Sequence, residues 1–329
     1  MSTMSELNRE TALAFLCPAC LGTMHLAAGR IHCMKCGARH GAMQDDLLTF
    51  DDCLDKHSFF EKQAVERLDR YYVGYDRSAF LDDLTKTVLW QMDERNKRVG
   101  ITRKFWWEDH VGKIENKQIL EIGCGVNYIV PYFVESQNQI VAFDICRESV
   151  EYSKKLVSRI FGDADRVTYA VADAQRAEFP PVFDVVDISN VLHHIEDKDA
   201  VFERAHRALK RGGKMIIVEP NYYYPPRWII ETEAFDPYNW VKNYFVRNSL
   251  IEKGEHAIIF SDMVRQIENA GFRIDVRRKD DNYLGYFTVY WLKERTALAK
   301  AVYQLDKYVF SKILPQLIAP FEYLVATKA

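Results

Sequence analysis

Four cysteines carry the first recognisable chemistry. Cys17-Pro-Ala-Cys20 and Cys33-Met-Lys-Cys36 are two CxxC knuckles with twelve residues between them. Each knuckle offers two thiolates from one tight turn, and two knuckles close a tetrahedral shell of four thiolates around zinc. A closed shell has no open coordination position, so this zinc is expected to be structural. Gly37 supplies turn freedom after the second pair. His25, His32 and His40 lie close by and read as surface residues beside a complete ligand set. A second group starts at Ile119-Leu-Glu-Ile-Gly-Cys-Gly-Val-Asn127, a buried strand running into a glycine turn. Gly123 and Gly125 lack a Cβ, so the backbone can turn tightly and approach a ligand. Asp144 follows 19 residues after Gly125, at the end of Gln139-Ile-Val-Ala-Phe-Asp144. A glycine turn after one strand and an acid after the next is the layout of a doubly wound site, with the acid accepting from ribose hydroxyls. His193-His194 is the one histidine pair near these residues. An imidazole there could take up a proton near neutral pH.

These residues need a scaffold, and the chain between them alternates apolar runs with helical stretches. Strands are expected at about 117–122, 139–144, 166–171, 183–188 and 214–219. That alternation predicts an α/β fold with a Rossmann-like, doubly wound, mainly parallel sheet. Ligands in such sheets sit beyond the carboxyl ends of the strands, here Glu121 to Asn127, Asp144, Asp173, Asn190 and Glu219. A capped helix is expected over 261–271, a strand over 272–278 and a last strand over 321–327.

Five pieces in order extend the glycine motif: LEIGCG (120–125), VAFD (141–144), VADAQRAEFP (171–180), FDVVDISNVLHHIED (183–197) and LKRGGKMIIVEPN (209–221). Together they resemble the class I S-adenosylmethionine (SAM)-dependent methyltransferases, of the type 11-like kind. Asn127 stands where that family most often has a third glycine, and Asn tolerates left-handed backbone angles better than most residues. The resemblance implies SAM as cofactor, with Asp144 on the ribose and Ile145 on the adenine face. It puts Asp173 and the Ala174 backbone on the adenine edge, and Asn190 near the methionine moiety. Gly123 and Gly125 leave room for the methionyl part, and Glu121 orders their loop. The stretch through Asp46-Leu-Leu-Thr-Phe50 resembles Trm112-like zinc ribbons placed before some bacterial methyltransferases. A piece this small builds little core, so zinc would stabilise it directly.

The expected organisation is a zinc ribbon over 1–54, a helical lid or linker over 55–110 and a SAM-binding domain over 111–329. The second segment is rich in aromatics, and Tyr72 and Tyr75 are its candidates for a lid over SAM. Insertions are expected at about 222–250 and 284–318. The first is dense in aromatics and prolines and suits a lid over an apolar or planar acceptor; a dimer contact or a packed cap fits as well. The second holds a helix over about 290–314 with Leu298, Val302, Leu305, Val309 and Ile313 on one face. That stripe reads first as core packing; a dimer seam, a pocket wall and an interfacial membrane helix are the alternatives.

Composition narrows the function. A net charge of −3 gives no global reason to bind nucleic acid. No run of eighteen apolar residues occurs, so no transmembrane helix is expected. The first sixteen residues contain Glu6, Arg9 and Glu10 and lack a signal-peptide core, so a cytoplasmic location is expected. The strand-four exit reads Ser189-Asn190-Val191-Leu192 in place of the Asn/Asp-Pro-Pro-aromatic motif of enzymes that methylate adenine or glutamine nitrogens. The leading reading is methyl transfer from SAM to an O, N or C atom of a small-molecule or lipid-like acceptor. His193 or His194 is the candidate base. The first alternative is an rRNA guanine methyltransferase whose ribbon meets phosphates through Arg30, Lys35 and Arg39. The second is a non-catalytic scaffold that keeps the fold. A homodimer is compatible with all three.

Overall fold

A computed structural model describes residues 11–50, 77–93, 111–125, 129–162, 165–221, 258–279, 284, 296–314, 319 and 321–329. Asn127, Tyr72, Tyr75 and the 222–250 insertion lie outside the described residues.

Runs of apolar and β-branched residues form the strands that carry the site. β6 (Gln118–Ile122), β7 (Gln139–Asp144), β8 (Val167–Val171), β9 (Phe183–Ser189) and β10 (Leu209–Pro220) are parallel neighbours in the order β8-β7-β6-β9-β10. Their residues are buried on both faces, as covered parallel strands require. Leu120, Ile122, Phe143 and Val186 pack into one core, while Ile119, Ile140 and Val185 pack into the other. Helices α2 (Ile129–Glu135), α3 (Arg147–Phe161) and α4 (Lys198–Ala208) connect these strands. An earlier helix, α1 (Arg77–Met92), packs Val88 and Met92 on Leu156 of α3. After α5 (Phe260–Asn269) comes β11 (Phe272–Lys279), and β12 (Phe321–Lys328) runs antiparallel between β10 and β11. The doubly wound mainly parallel sheet is therefore present, with one reversed strand near its edge.

Residues 11–50 do not form a detached bead. They make an antiparallel meander of β1 (Thr11–Leu16), β2 (Thr23–Ala27), β3 (Arg30–Cys33), β4 (Arg39–Gln44) and β5 (Leu47–Phe50). β5 then pairs in parallel with β8, Leu48 beside Ala170 and Thr49 beside Val171, giving one sheet of twelve strands among the described residues. Gly41 makes this close packing possible, since a Cβ there would lie 1.9 Å from the Thr49 carbonyl oxygen. Phe15 stacks 4.4 Å from Phe50 and 4.8 Å from Phe179, with Phe143 edge-on at 6.3 Å. The Leu16 N–H donates to the Glu178 carbonyl, and the Glu178 carboxylate accepts from Arg207. Arg147, at the start of α3, donates to Gln44 Oε1 and Thr49 Oγ1 at 2.7 and 2.8 Å.

The C-terminal helix corrects an expectation. α6 (Thr296–Leu305) continues through a π-turn at Asp306–Phe310 into Ser311–Ile313. Leu298, Leu305, Val309 and Ile313 are exposed, so their stripe does not pack the core. Asp306 is the buried residue, and it accepts from the Leu284 N–H at 2.6 Å. Anchoring that carboxylate inward turns the apolar stripe outward.

Candidate functional site

The glycine turn closes over the end of β7. Gly123 and Cys124 both donate to the Phe143 carbonyl, at 2.9 and 3.0 Å. Gly123 has φ +71°, and a Cβ would strike the Val191 side chain at 2.4 Å, so glycine is required there twice over. Gly125 has φ +46°, and among the described residues a Cβ there would meet nothing nearer than 3.9 Å.

Asp144 stands half-buried at the end of β7, with Oδ2 accepting from Gly125 N–H and Oδ1 from Cys146 N–H. Burial raises its pKa, and the N–H groups of Cys146, Gly125 and Ile145 oppose that shift. Ile145 beside it is half-buried. One strand over, Asp173 is buried, accepts from Gln175 N–H at 2.8 Å, and has its pKa raised by burial. Ala174 is half-buried beside it. Gln175 Oε1 in turn accepts from Asp197 N–H, tying this loop to the start of α4. Asn190 is exposed just past β9 with φ +59°, its N–H donating to Val218. Gly123, Gly125, Asp144, Asp173 and Asn190 thus all lie at the carboxyl ends of adjacent strands, where a doubly wound sheet binds ligands.

Glu121 lies below that rim. It is wholly buried and directly opposite Asp187 on β9, which is also wholly buried. Burial pushes the Asp187 carboxyl up to about 7, with the Ser189 hydroxyl and the Glu121 carboxyl beside it pulling down. The folded protein therefore holds a proton that the unfolded chain releases from about pH 4 upward. The contribution of Asp187 to stability falls as pH rises from about 4 to 7 and levels off above that. Asp187→Asn removes this dependence. Denaturant unfolding should show the variant more stable by roughly 2–4 kcal/mol at pH 8 and equal to wild type at pH 4. Equal stabilities at pH 8 would contradict it. Nothing in the sequence alone signals this pair, because its members are 66 residues apart and meet only through strand register.

The loop after β9 holds the histidines. His193 is buried, and its Nδ1 lies 2.7 Å from Glu219 Oε2 at the end of β10. The other carboxylate oxygen accepts from the Val191 and Leu192 N–H groups at 3.0 and 2.8 Å. A carboxylate is acceptor-only, so the neutral ring carries its proton on Nδ1 and keeps Nε2 as the basic nitrogen. His194 is half-buried, its ring centroid 4.0 Å from that of His193. Sequence reading placed Glu219 only at a strand end; its pairing with His193 needs the parallel register of β9 and β10.

At the other end of the chain the four cysteine sulfurs lie within 4.8 Å of one another. Cys17 and Cys36 are 3.7 Å apart and Cys20 and Cys33 3.5 Å apart. A tetrahedral shell with zinc–sulfur bonds of about 2.3 Å has edges of about 3.8 Å, so the donor set fits that metal. His40 departs from the surface reading: it is buried, and its Nε2 is 3.1 Å from Cys17 Sγ. Lys35 donates to the Cys20 carbonyl at 3.1 Å, which ties one of the three suggested phosphate contacts to the knuckle itself.

Residues 120–215 match the Methyltransf_12 family, a methyltransferase domain. Phosphoethanolamine N-methyltransferase 3 of Arabidopsis thaliana is 31% identical over 108 residues, 31% of this chain and 21% of that protein. The ubiquinone biosynthesis O-methyltransferase of Leptothrix cholodnii is 26% identical over 118 residues, 35% of this chain and 49% of that protein. The chain thus spans from about a fifth to about a half of the length of these relatives. Among solved structures, phosphoethanolamine N-methyltransferase 2 of Haemonchus contortus aligns with a TM-score of 0.48 at 21% identity, covering 69% of this chain and 52% of that one. The strand order β8-β7-β6-β9-β10-β12-β11, with β12 reversed, is that of the class I methyltransferase fold, and the stretch that matches the methyltransferase domain family, residues 120–215, lies within it.

Proposed function

We propose that this protein transfers a methyl group from SAM to an O, N or C atom of a small-molecule or lipid-like acceptor, and that its ribbon holds a structural zinc on Cys17, Cys20, Cys33 and Cys36. The observation that carries the reading is the pair of carboxylates, Asp144 and Asp173, at the ends of adjacent strands beside the glycine turn. SAM supplies an activated methyl on a sulfonium, so positioning alone provides much of the rate. Asp144 accepts from the ribose hydroxyls with the lone pairs left by Gly125 and Cys146. Ile145 meets the adenine face, and Asp173 with the Ala174 backbone meets the adenine edge. Gly123 and Gly125 admit the methionyl part, Asn190 contacts it, and Glu121 supports the loop from below. Tyr72 and Asn127 are proposed to complete the site. His193, held by Glu219, takes the proton that an attacking oxygen or nitrogen must lose. His194 shapes the loop beside it. The relatives, a phosphoethanolamine N-methyltransferase and a ubiquinone biosynthesis O-methyltransferase, support a small or lipid-like acceptor class.

Calorimetric titration with SAM tests this directly. Wild-type protein should bind on the order of micromolar SAM, and Asp144→Ala should weaken binding by roughly 50- to 100-fold, the loss of two charge-assisted hydrogen bonds. No binding by folded, zinc-loaded wild type would overturn the proposal. An acceptor panel on the same protein then identifies the substrate.

A further inference from the structure

The outward stripe of α6 is an apolar surface with a definite charge. Leu298, Leu305, Tyr308, Val309 and Ile313 are 45%, 46%, 56%, 37% and 71% exposed. Lys300 and Lys312 are exposed on the same element. Asp306 is the one carboxylate between 296 and 314, and it is buried against the Leu284 N–H. The exposed side therefore presents apolar groups and cations with no anion among them. The 18 residues from Thr296 to Ile313 extend about 27 Å, long enough to lie along a surface. No helix among the described residues is long and apolar enough to cross a membrane.

Topology fixes where the insertion that contains this helix leaves and rejoins the sheet. The insertion that contains it departs after Lys279 and returns at Phe321. Phe321 is opposite Pro220 at the carboxyl end of β10, and Lys279 is opposite Glu322. The Asn221 side chain donates to the Ala319 carbonyl at 2.6 Å and ties the return to the β10 exit. The insertion therefore leaves from, and comes back to, the edge that holds Gly123, Asp144 and His193.

We propose that this face docks the protein on an anionic lipid surface. The apolar side chains enter the headgroup boundary, and the lysines meet lipid phosphates. Tyr308 suits such a boundary, with an apolar ring and a polar tip. A second copy of the chain is the poorer occupant. An antiparallel two-fold pairing centred on Asp306 would set Lys300 opposite Lys312, and a parallel one would set each lysine opposite itself. Like charges would meet in either case, with no carboxylate on the face to offset them. The docking stands on the helix and its charge. Its consequence, that an amphiphilic acceptor reaches the site from the membrane, rests on the proposed methyl transfer.

Vesicle co-sedimentation of the full chain tests the docking. Wild-type protein should bind vesicles of mixed phosphatidylglycerol and phosphatidylcholine, and bind vesicles of phosphatidylcholine alone at least about tenfold more weakly. The double variant Leu305→Glu/Ile313→Glu should lower affinity for the mixed vesicles on the order of 100-fold. Lys300→Gln/Lys312→Gln should remove the preference for anionic vesicles. All four positions are exposed, so melting temperatures should match wild type, and a variant that melts early is replaced by Tyr308→Glu. Absence of wild-type binding to mixed vesicles would overturn the proposal. So would a dimer by light scattering that Leu305→Glu converts to monomer, which would make the face a contact between copies. SAM calorimetry on the same samples keeps the two readings apart. Vesicle binding without SAM binding would sink the methyl transfer alone, and the reverse would sink the docking alone.

Discussion

Replacing His193 with Ala is expected to slow methyl transfer by about 10²- to 10⁴-fold at saturating SAM, the range that a positioned general base contributes. SAM affinity measured by calorimetry should stay within about twofold, because the imidazole serves the acceptor. The physical reason is the Glu219 contact. At 2.7 Å a buried carboxylate fixes the Nδ1 proton and leaves Nε2 basic. Glu219→Gln tests that reason separately. Its amide can still accept from the Val191 and Leu192 N–H groups, yet it can turn an N–H toward His193 and favour the tautomer protonated on Nε2. A loss of about 10²-fold in kcat with unchanged SAM binding is the expected outcome. A His193→Ala enzyme within about threefold of wild type would assign the rate to positioning alone.

Loss of zinc is expected to have the second large effect. Freshly purified protein should contain about one equivalent of zinc by elemental analysis, and less than about half would count against a four-thiolate site. Cys17→Ser should lose the metal and lower the melting temperature by roughly 10 °C, since structural zinc supplies folding free energy to so small a meander. The damage should spread. β5 is hydrogen-bonded to β8, which leads to Asp173, and Phe15 packs against Phe143, which precedes Asp144. Arg147, at the start of the helix after Asp144, is held by Gln44 and Thr49 of the ribbon. Chelation should therefore weaken SAM binding at least about tenfold, and SAM should tighten zinc binding by the same factor in return, because coupling between binding free energies is reciprocal. SAM affinity unchanged in zinc-free, still folded protein would show that the ribbon and the cofactor site are independent.

The parallel strands and the glycine turn were legible in the residues alone. Both are written in local signals: apolar runs that become β6, β7, β8 and β9, and residues such as Gly123 that only a tight turn needs. The cysteine knuckles were legible for the same reason, since ligand spacing within each pair is local. The fold class followed from these pieces in order, and residues 120–215, which hold most of them, match a methyltransferase domain family. Contacts between distant segments were not legible. Asp187 meets Glu121, and Glu219 meets His193, only because parallel register brings positions 66 and 26 residues apart to one level. β5 joins the main sheet through hydrogen bonds that no residue pattern announces. His40 looks like any polar residue near a turn until β4 folds it onto Cys17. The stripe on α6 has the same 3.6-residue period whether it faces core or solvent. Its direction was settled by one buried carboxylate, Asp306, whose partner, the Leu284 N–H, lies 22 residues earlier in the chain.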